Sequence, residues 1–478
     1  MLKNNALGES NIQGNQRLKF FSSFLLGTVV VIALLFGIVI GVFGSSALIV
    51  VIGAILLAII IIARQNELAA TVIIAVHLYV DWYLGLAFVA QIMTVLLLLA
   101  LYFAKSIQYP WEEPRASWLW ILFIVLGIFP ATHGIDSQDS AYYYFNTIFS
   151  SLIMFWLGLV LARDATSVRR LFILLSIFGT LIALHTILEA TTGMFLLRST
   201  RYDAALQALS NFQLYGTNTS RAEGFLLNPD TNGTFLAVIF FLPFGLFIES
   251  SSPLKKFFYF VEMFFVLLAL LFTYSTGAWL AAIAGFGVFI VLVGRTRYRI
   301  MMVIMILIAA VVLLVFFPAQ INLQFQHAGA EGELPLRIAA WQTAINVIHA
   351  KPFVGLGLGR YVYMVRSDPF RVSGQFIPLY HPQNSYLELG SLGGIQIAIL
   401  FITLLLFALY LASRNWMQSG VRTRALLAGG IAAVMALSIC SLAAAGWTCG
   451  PIGAMGWLIL GSVSSTLLNK SLNRELKS

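Results

Sequence analysis

The sequence predicts an all-α fold: a polytopic integral membrane protein forming a single transmembrane domain over residues 1–478. Three observations carry this. The chain is 60% hydrophobic and only 10% charged, against roughly a quarter charged in globular proteins, and its mean hydropathy is +0.91. Apolar runs long enough to cross about 30 Å of hydrocarbon recur from end to end, giving about 14 spans, within a range of about 12 to 14. With the N-terminus in the cytoplasm, the Lys and Arg of the short loops all fall on one side, as membrane topology requires.

Taken in order, the runs lie near 20–44, 45–63, 68–82, 84–104, 118–133, 141–162, 171–192, 232–249, 257–273, 277–294, 300–317, 386–413, 425–446 and 450–468. The first is too long for the apolar core of a signal peptide and is followed at once by another, so it reads as a retained helix. Arg64, Lys105 with Arg115, Arg163 with Arg169 and Arg170, Lys255 with Lys256, Arg295 with Arg297 and Arg299, and Arg414 with Arg422 and Arg424 mark the cytoplasmic side, as does the tail with Lys470, Arg474 and Lys477. Most of the formal charge of +9 is therefore topogenic, and nucleic acid is excluded as a partner. Cys440 and Cys449 have neither metal-ligand nor disulfide-framework spacing and read as packing residues.

Eight basic residues break the topological pattern: Arg198, Arg201, Arg221, Arg337, Lys351, Arg360, Arg366 and Arg371. They fall in two long outward-facing loops, a first periplasmic loop at 193–231 and a large one at 318–385. Long loops among short connections are where function concentrates. The first ends SRAEGFLLNPDTNG. Asn228, Pro229 and Asp230 read as a turn, with Thr231 or Asn232 capping the next helix and Arg221 just above the membrane face. A helix N-terminus there suits an anion; the plainer reading is a snorkelling arginine at a re-entry turn.

The large loop contains LRIAAWQTAINVIHAKPFVGLGLGRY. Leu334, Ile338, Trp341, Ile345 and Ile348 repeat at helical spacing, predicting an amphipathic surface helix with Arg337 at its start. Lys351-Pro352 ends that helix. Gly355, Gly357 and Gly359 let the backbone turn before Arg360. These glycines lack the strand and following helix of a nucleotide-binding fingerprint. The loop closes with HPQNSYLELGSLGGI, in which Ser385 and Glu388 have the form of a capping box. Capping has no need of the imidazole at His381, which near neutral pH can accept a proton. His327 and His349 are weaker candidates in the same loop.

An imidazole among guanidinium groups on an outer face suits glycosyl transfer from a lipid-linked diphosphate. Arginine grips phosphate bidentately and stays charged, while His381 takes the proton of an attacking hydroxyl. No D-x-D occurs in the chain; the nearest acidic patterns are Glu331-Gly-Glu333 and the weaker DSQD at 136–139. Neither a metal nor any other cofactor is expected, since the arginines supply the positive charge.

These residues resemble the O-antigen ligase and O-antigen polymerase superfamily of bacterial membrane glycosyltransferases. The similarity lies in R-x-x-x-W (Arg337 to Trp341), KPFVGLGLGRY, HPQNSYLELGSLGGI, RAEGFLLNPDTNG and TYSTGAWLA, covering roughly Arg221 to Ile395. The resemblance implies a GT-C-like helical fold, an undecaprenyl diphosphate-linked glycan as donor, inversion at the anomeric carbon and no metal. It implies an acceptor glycan or lipid A core as second substrate, in the inner membrane with the active site facing the periplasm. By motif, His381 is the base and Arg337 binds diphosphate, joined by Arg221 and Arg360. Trp341, Asn384, Tyr386 and Glu388 position the acceptor. Where ligases of the family often read S-R-G, this chain has Ser275-Thr276-Gly277, so an arginine expected near the outer end of the ninth span is missing. Arg221 or Arg360 replaces it, or the protein is a polymerase rather than a ligase; both stay open, with the balance towards polymerase.

The competing class is a transporter or flippase of lipid-linked saccharides. Such proteins place ionisable groups at the bilayer midplane, and the intramembrane set here is small: His77, Asp81, His185, Glu189 and Glu262. A non-catalytic scaffold leaves the two arginine-bearing loops unexplained.

Overall fold

The computed structural model describes residues 65–83, 88–105, 113–193, 221–293, 333–375 and 378–466, with isolated residues between 300 and 322 and Leu468. The expected spans at 20–44 and 45–63, most of that at 300–317, most of the first loop with Arg198 and Arg201, and His327 lie outside the described residues. The chain divides into two compact units, Met1–Ala69 and Ala70–Ser478, and the packing and sites described below belong to the second.

The protein is an all-α, multi-pass membrane protein, and no strand occurs among the described residues. In chain order the helices are α1 (Asn66–Val76), α2 (Val89–Lys105), α3 (Ser117–Thr132), α4 (Ser137–Tyr143), α5 (Ser150–Leu161), α6 (Ala165–Thr192), α7 (Pro229–Glu249) and α8 (Pro253–Phe272). There follow α9 (Thr276–Val293), α10 (Glu333–Ala350), α11 (Arg360–Arg366), α12 (Ser385–Gly393), α13 (Ile395–Gln418), α14 (Val421–Cys440) and α15 (Gly450–Ser464). π-helical turns extend α1 over His77–Tyr83 and join α4 to α5 over Tyr144–Phe149. Six described segments are long and apolar enough to cross a membrane: Ser137–Leu161, α6, α7, α9, α13 and α14. Val89–Phe103, α3 and α15 are shorter apolar helices.

Glycine lets the central helices approach closely, the expected device where lipid provides no hydrophobic drive between helices. Gly158 of α5 lies against Gly461 of α15, and Gly245 of α7 against Gly429 of α14. Between α3, α5, α13 and α15 sits an aromatic core: Trp120 stacks on Phe155 with ring centroids 5.2 Å apart, and Trp447 tilts over Trp457 at 5.0 Å.

Four boundaries differ from the sequence reading. The span expected at 386–413 is broken: α12 ends at Gly393, Gly394 has φ 86°, and α13 starts afresh at Ile395. The cap of α12 is Asn384, not Ser385, because the Asn384 side chain accepts from the N–H groups of Tyr386 and Leu387. The cap of α7 is Asn228, not Thr231 or Asn232; its Oδ1 accepts from Asp230 and Thr231, with Pro229 in the first helical position. The run expected at 425–446 also stops early, at Cys440. A helix forms over the stretch expected to be the surface helix, as α10. Its small residues Ala340, Ala344 and Val347 are buried, whereas Leu334 and Ile338 of the predicted apolar stripe remain 49% and 53% exposed.

Candidate functional site

The cap at Asn228 places Asp230 in the first turn of α7, where the helix dipole favours a carboxylate. Two buried guanidinium groups converge on it. Arg221 Nη2 donates to Asp230 Oδ1 at 2.6 Å and Arg337 Nη2 to Asp230 Oδ2 at 2.7 Å. Arg221 is further fixed by Nε donating to the Thr273 carbonyl at 3.0 Å, and Arg337 by Nη1 donating to the Ala443 carbonyl. Near Ser275–Gly277, Arg221 bonds to the Thr273 carbonyl and Arg337 Nη1 lies 3.7 Å from where a Cβ on Gly277 would be. The turns framing this cluster are strained: Leu227 and Tyr274 are left-handed at φ 55° and 48°, a conformation that costs non-glycine residues of order 1–3 kcal/mol each.

Behind Arg221 lie two carboxyl groups. Glu189 accepts from the backbone N–H of Glu223 and Gly224, both at 2.9 Å. Glu223 is buried; burial and the Glu189 charge push its carboxyl up to about 8, against the opposing pull of Arg221.

Arg360 belongs to a second group. Its Nε lies 3.7 Å from Glu388 Oε1, and the Thr448 hydroxyl donates to Glu388 Oε2 at 2.7 Å. This corrects the capping role expected of Glu388. Glu388 does not cap its helix, since Asn384 does, and Arg360 pairs with Glu388 instead of joining Arg221 and Arg337. The glycine segment positions Arg360 by lacing helix ends together: Leu356 and Gly357 donate to the carbonyls of Ser391 and Leu392, and Leu358 donates to that of Pro130. Gly355, Gly357 and Gly359 adopt φ 63°, 95° and 127°, which only glycine holds without strain. Asp139 then accepts from the N–H of Tyr361 at 2.8 Å, while Asp136 caps α4 through Gln138 and Asp139. The DSQD acids thus hold backbone.

His381 lies between the groups, where both Arg360 and Arg337 act on it; burial first, then these two charges, push its imidazole down to about 3. Its Nδ1 accepts the backbone N–H of Gln383 at 3.1 Å, and Gln383 is left-handed at φ 52°.

Sequence reasoning missed Asp230 as the shared anchor and missed the connection Ser441–Thr448, which underlies both groups. Ala443 receives Arg337, Leu442 receives the Asn384 amide at 2.9 Å, and Ser385 pairs through its N–H with the Ser441 carbonyl. The only sequence signal was a run of small residues, LAAAG, that lets carbonyls be approached closely. Tyr386 donates to the Ser438 carbonyl at 2.9 Å, so it and Asn384 are held by the scaffold. Trp341 is half-buried, its indole N–H without a hydrogen-bond partner among the described residues. His349 is exposed at the far end of α10.

Fold and site define a multi-pass helical membrane protein whose arginines gather at helix ends. Residues 262–402 match the family model described as O-antigen ligase, so that domain lies in this chain, and the match supports the O-antigen ligase and polymerase superfamily. It runs from α8 into α13 and includes Arg337, Arg360, His381 and Glu388; Arg221 and Asp230 precede it. The domain supports a membrane role in glycan ligation or polymerisation, with lipid-linked glycan and acceptor as its general substrates. No curated protein matches the chain.

Proposed function

We propose that the protein transfers a glycan from an undecaprenyl diphosphate-linked donor to a sugar hydroxyl of an acceptor glycan or lipid A core. The site faces the periplasm from the bacterial inner membrane, and the reaction is O-antigen or exopolysaccharide polymerisation or ligation. One observation carries the reading: Arg221 and Arg337, buried and on different elements, meet at one carboxylate. A point that two guanidinium groups reach together is where diphosphate oxygens bind best. There they stabilise charge developing on the leaving group, so the transfer runs without a metal and, with attack opposite the departing diphosphate, with inversion.

Arg360 and Glu388 act as a positioning pair for the loop bearing His381, with Trp341 beside the acceptor path. The intramembrane carboxylates have structural partners, which weakens the transporter reading. Asp81 accepts from the N–H of Ala90 and from His77, Glu189 accepts from backbone N–H groups, and Glu262 accepts from Ser176. The test is complementation of a strain lacking its own enzyme with wild type, Arg221→Ala and Arg337→Ala at matched expression. Both variants should lose surface polysaccharide and accumulate lipid-linked donor; single repeats in that pool mean polymerase and long chains mean ligase. Full surface polysaccharide in both variants would sink the diphosphate assignment.

A further inference from the structure

The role of His381 follows from which of its nitrogens carries the proton. A neutral imidazole has one N–H and one lone pair. Here the lone pair is at Nδ1, because Nδ1 accepts the Gln383 N–H at 3.1 Å. The proton is then on Nε2. The arrangement is built in: Gln383 takes a left-handed φ of 52°, Pro382 before it is buried, and Asn384 after it is tied to α12 and to Leu442. A proton acceptor would need the opposite tautomer, which sets an Nδ1–H against the Gln383 N–H.

We infer that His381 serves as an Nε2–H hydrogen-bond donor to the departing diphosphate and is not the base that takes the acceptor proton. This rests on the transfer reaction proposed above and replaces the proton-acceptor role expected from the sequence. The charged groups that act on the ring, Arg360 and Arg337, agree with it: they disfavour an imidazolium. In the step itself the acceptor oxygen bonds to the anomeric carbon while the carbon–oxygen bond to the diphosphate breaks. That electron pair leaves on the phosphate oxygen, and the acceptor proton passes to a water molecule on the attacking face, opposite the departing diphosphate. His381 keeps its proton throughout, lending its N–H to the oxygen that gains charge.

The discriminating variant is His381→Gln, whose side-chain amide offers an N–H near the Nε2 position and cannot act as a base. In a purified, lipid-reconstituted assay with a polyprenyl diphosphate oligosaccharide and an acceptor glycan, His381→Gln should stay within about tenfold of wild type. His381→Ala should lose about a hundredfold or more, the range seen when a hydrogen-bond donor to developing charge is removed. The wild-type rate should show no limb that titrates like an ordinary histidine. Gln as inactive as Ala, in protein that melts like wild type, together with such a limb, would overturn the inference. Nitrogen-15 NMR of histidine-labelled wild type, assigned by difference against His381→Gln, tests the tautomer without turnover: an Nδ1–H signal overturns it and an Nε2–H signal supports it. A wild type that transfers from no polyprenyl diphosphate glycan would count against the proposed reaction, and the NMR result would still decide the tautomer.

Discussion

Asp230 holds Arg221 and Arg337 at 2.6 and 2.7 Å with little of its own side chain in solvent. Asp230→Ala leaves two buried guanidinium groups without that partner, a change that costs about 3–5 kcal/mol in comparable pairs. Thermal unfolding in detergent should show a large drop for Ala and a smaller one for Asn; equal melting of Ala and wild type would contradict the anchor. Arg337→Lys keeps the charge and loses the planar fork, so transfer should fall roughly ten- to hundredfold, the worth of a charged hydrogen bond. Glu223 gives a pH signature. Its carboxyl is raised from 4.5 to about 8, so the folded state binds the extra proton. Stability from this group is complete below pH about 4.5 and is lost as pH rises through about 8. Glu223→Gln should therefore narrow the difference in melting temperature between about pH 5 and about pH 9, and an unchanged difference would contradict it. At this scale the sequence singled out the arginines and His381, because topology does not require arginine outside the short cytoplasmic loops. It hid Asp230 and Thr448, because an acid in a turn and a hydroxyl in a short connection look ordinary until the fold brings them to a guanidinium or a carboxylate.

At the scale of elements, the glycine segment between α10 and α11 delivers Arg360. A Cβ on Gly357 would meet the backbone of His133 and Gly134, and its φ is 95°. Gly357→Ala should cost about 1–3 kcal/mol and reduce transfer through Arg360. Gly287→Ala, at an exposed α9 position with nothing within 4 Å of the added Cβ, should be neutral or stabilise by up to about 1 kcal/mol. Equal melting of the two variants would contradict the lacing role. Helix existence was legible from apolar runs, which fix where a span can lie. Helix ends were less so: α12 stops because Gly393 and Gly394 permit a break whose freed groups find partners, as when Ile395 donates to Pro352. Composition alone reads the same stretch as one continuous span.

For the whole molecule, the outer-face reading places the loop between α11 and α12 opposite the end of α13. Ser373 and Gln418 are both exposed, while native Cys440 and Cys449 are buried and free, so labelling background should be low. A membrane-impermeant thiol reagent should label Ser373→Cys in intact cells and Gln418→Cys only after permeabilisation; the reverse pattern would put the arginine site in the cytoplasm. The expectation of this orientation comes from the charge of short loops, which depends on counting residues and not on packing.

The most direct measurement is transfer by purified protein in lipid, from a polyprenyl diphosphate oligosaccharide to an acceptor glycan, comparing wild type with Arg221→Ala and Arg337→Ala after each is shown to be folded. The account predicts product from wild type and a loss of about a hundredfold or more in both variants, as expected when a charge-stabilising group is removed from a transition state. Wild-type rates in either folded variant would contradict the claim that these two arginines hold the diphosphate.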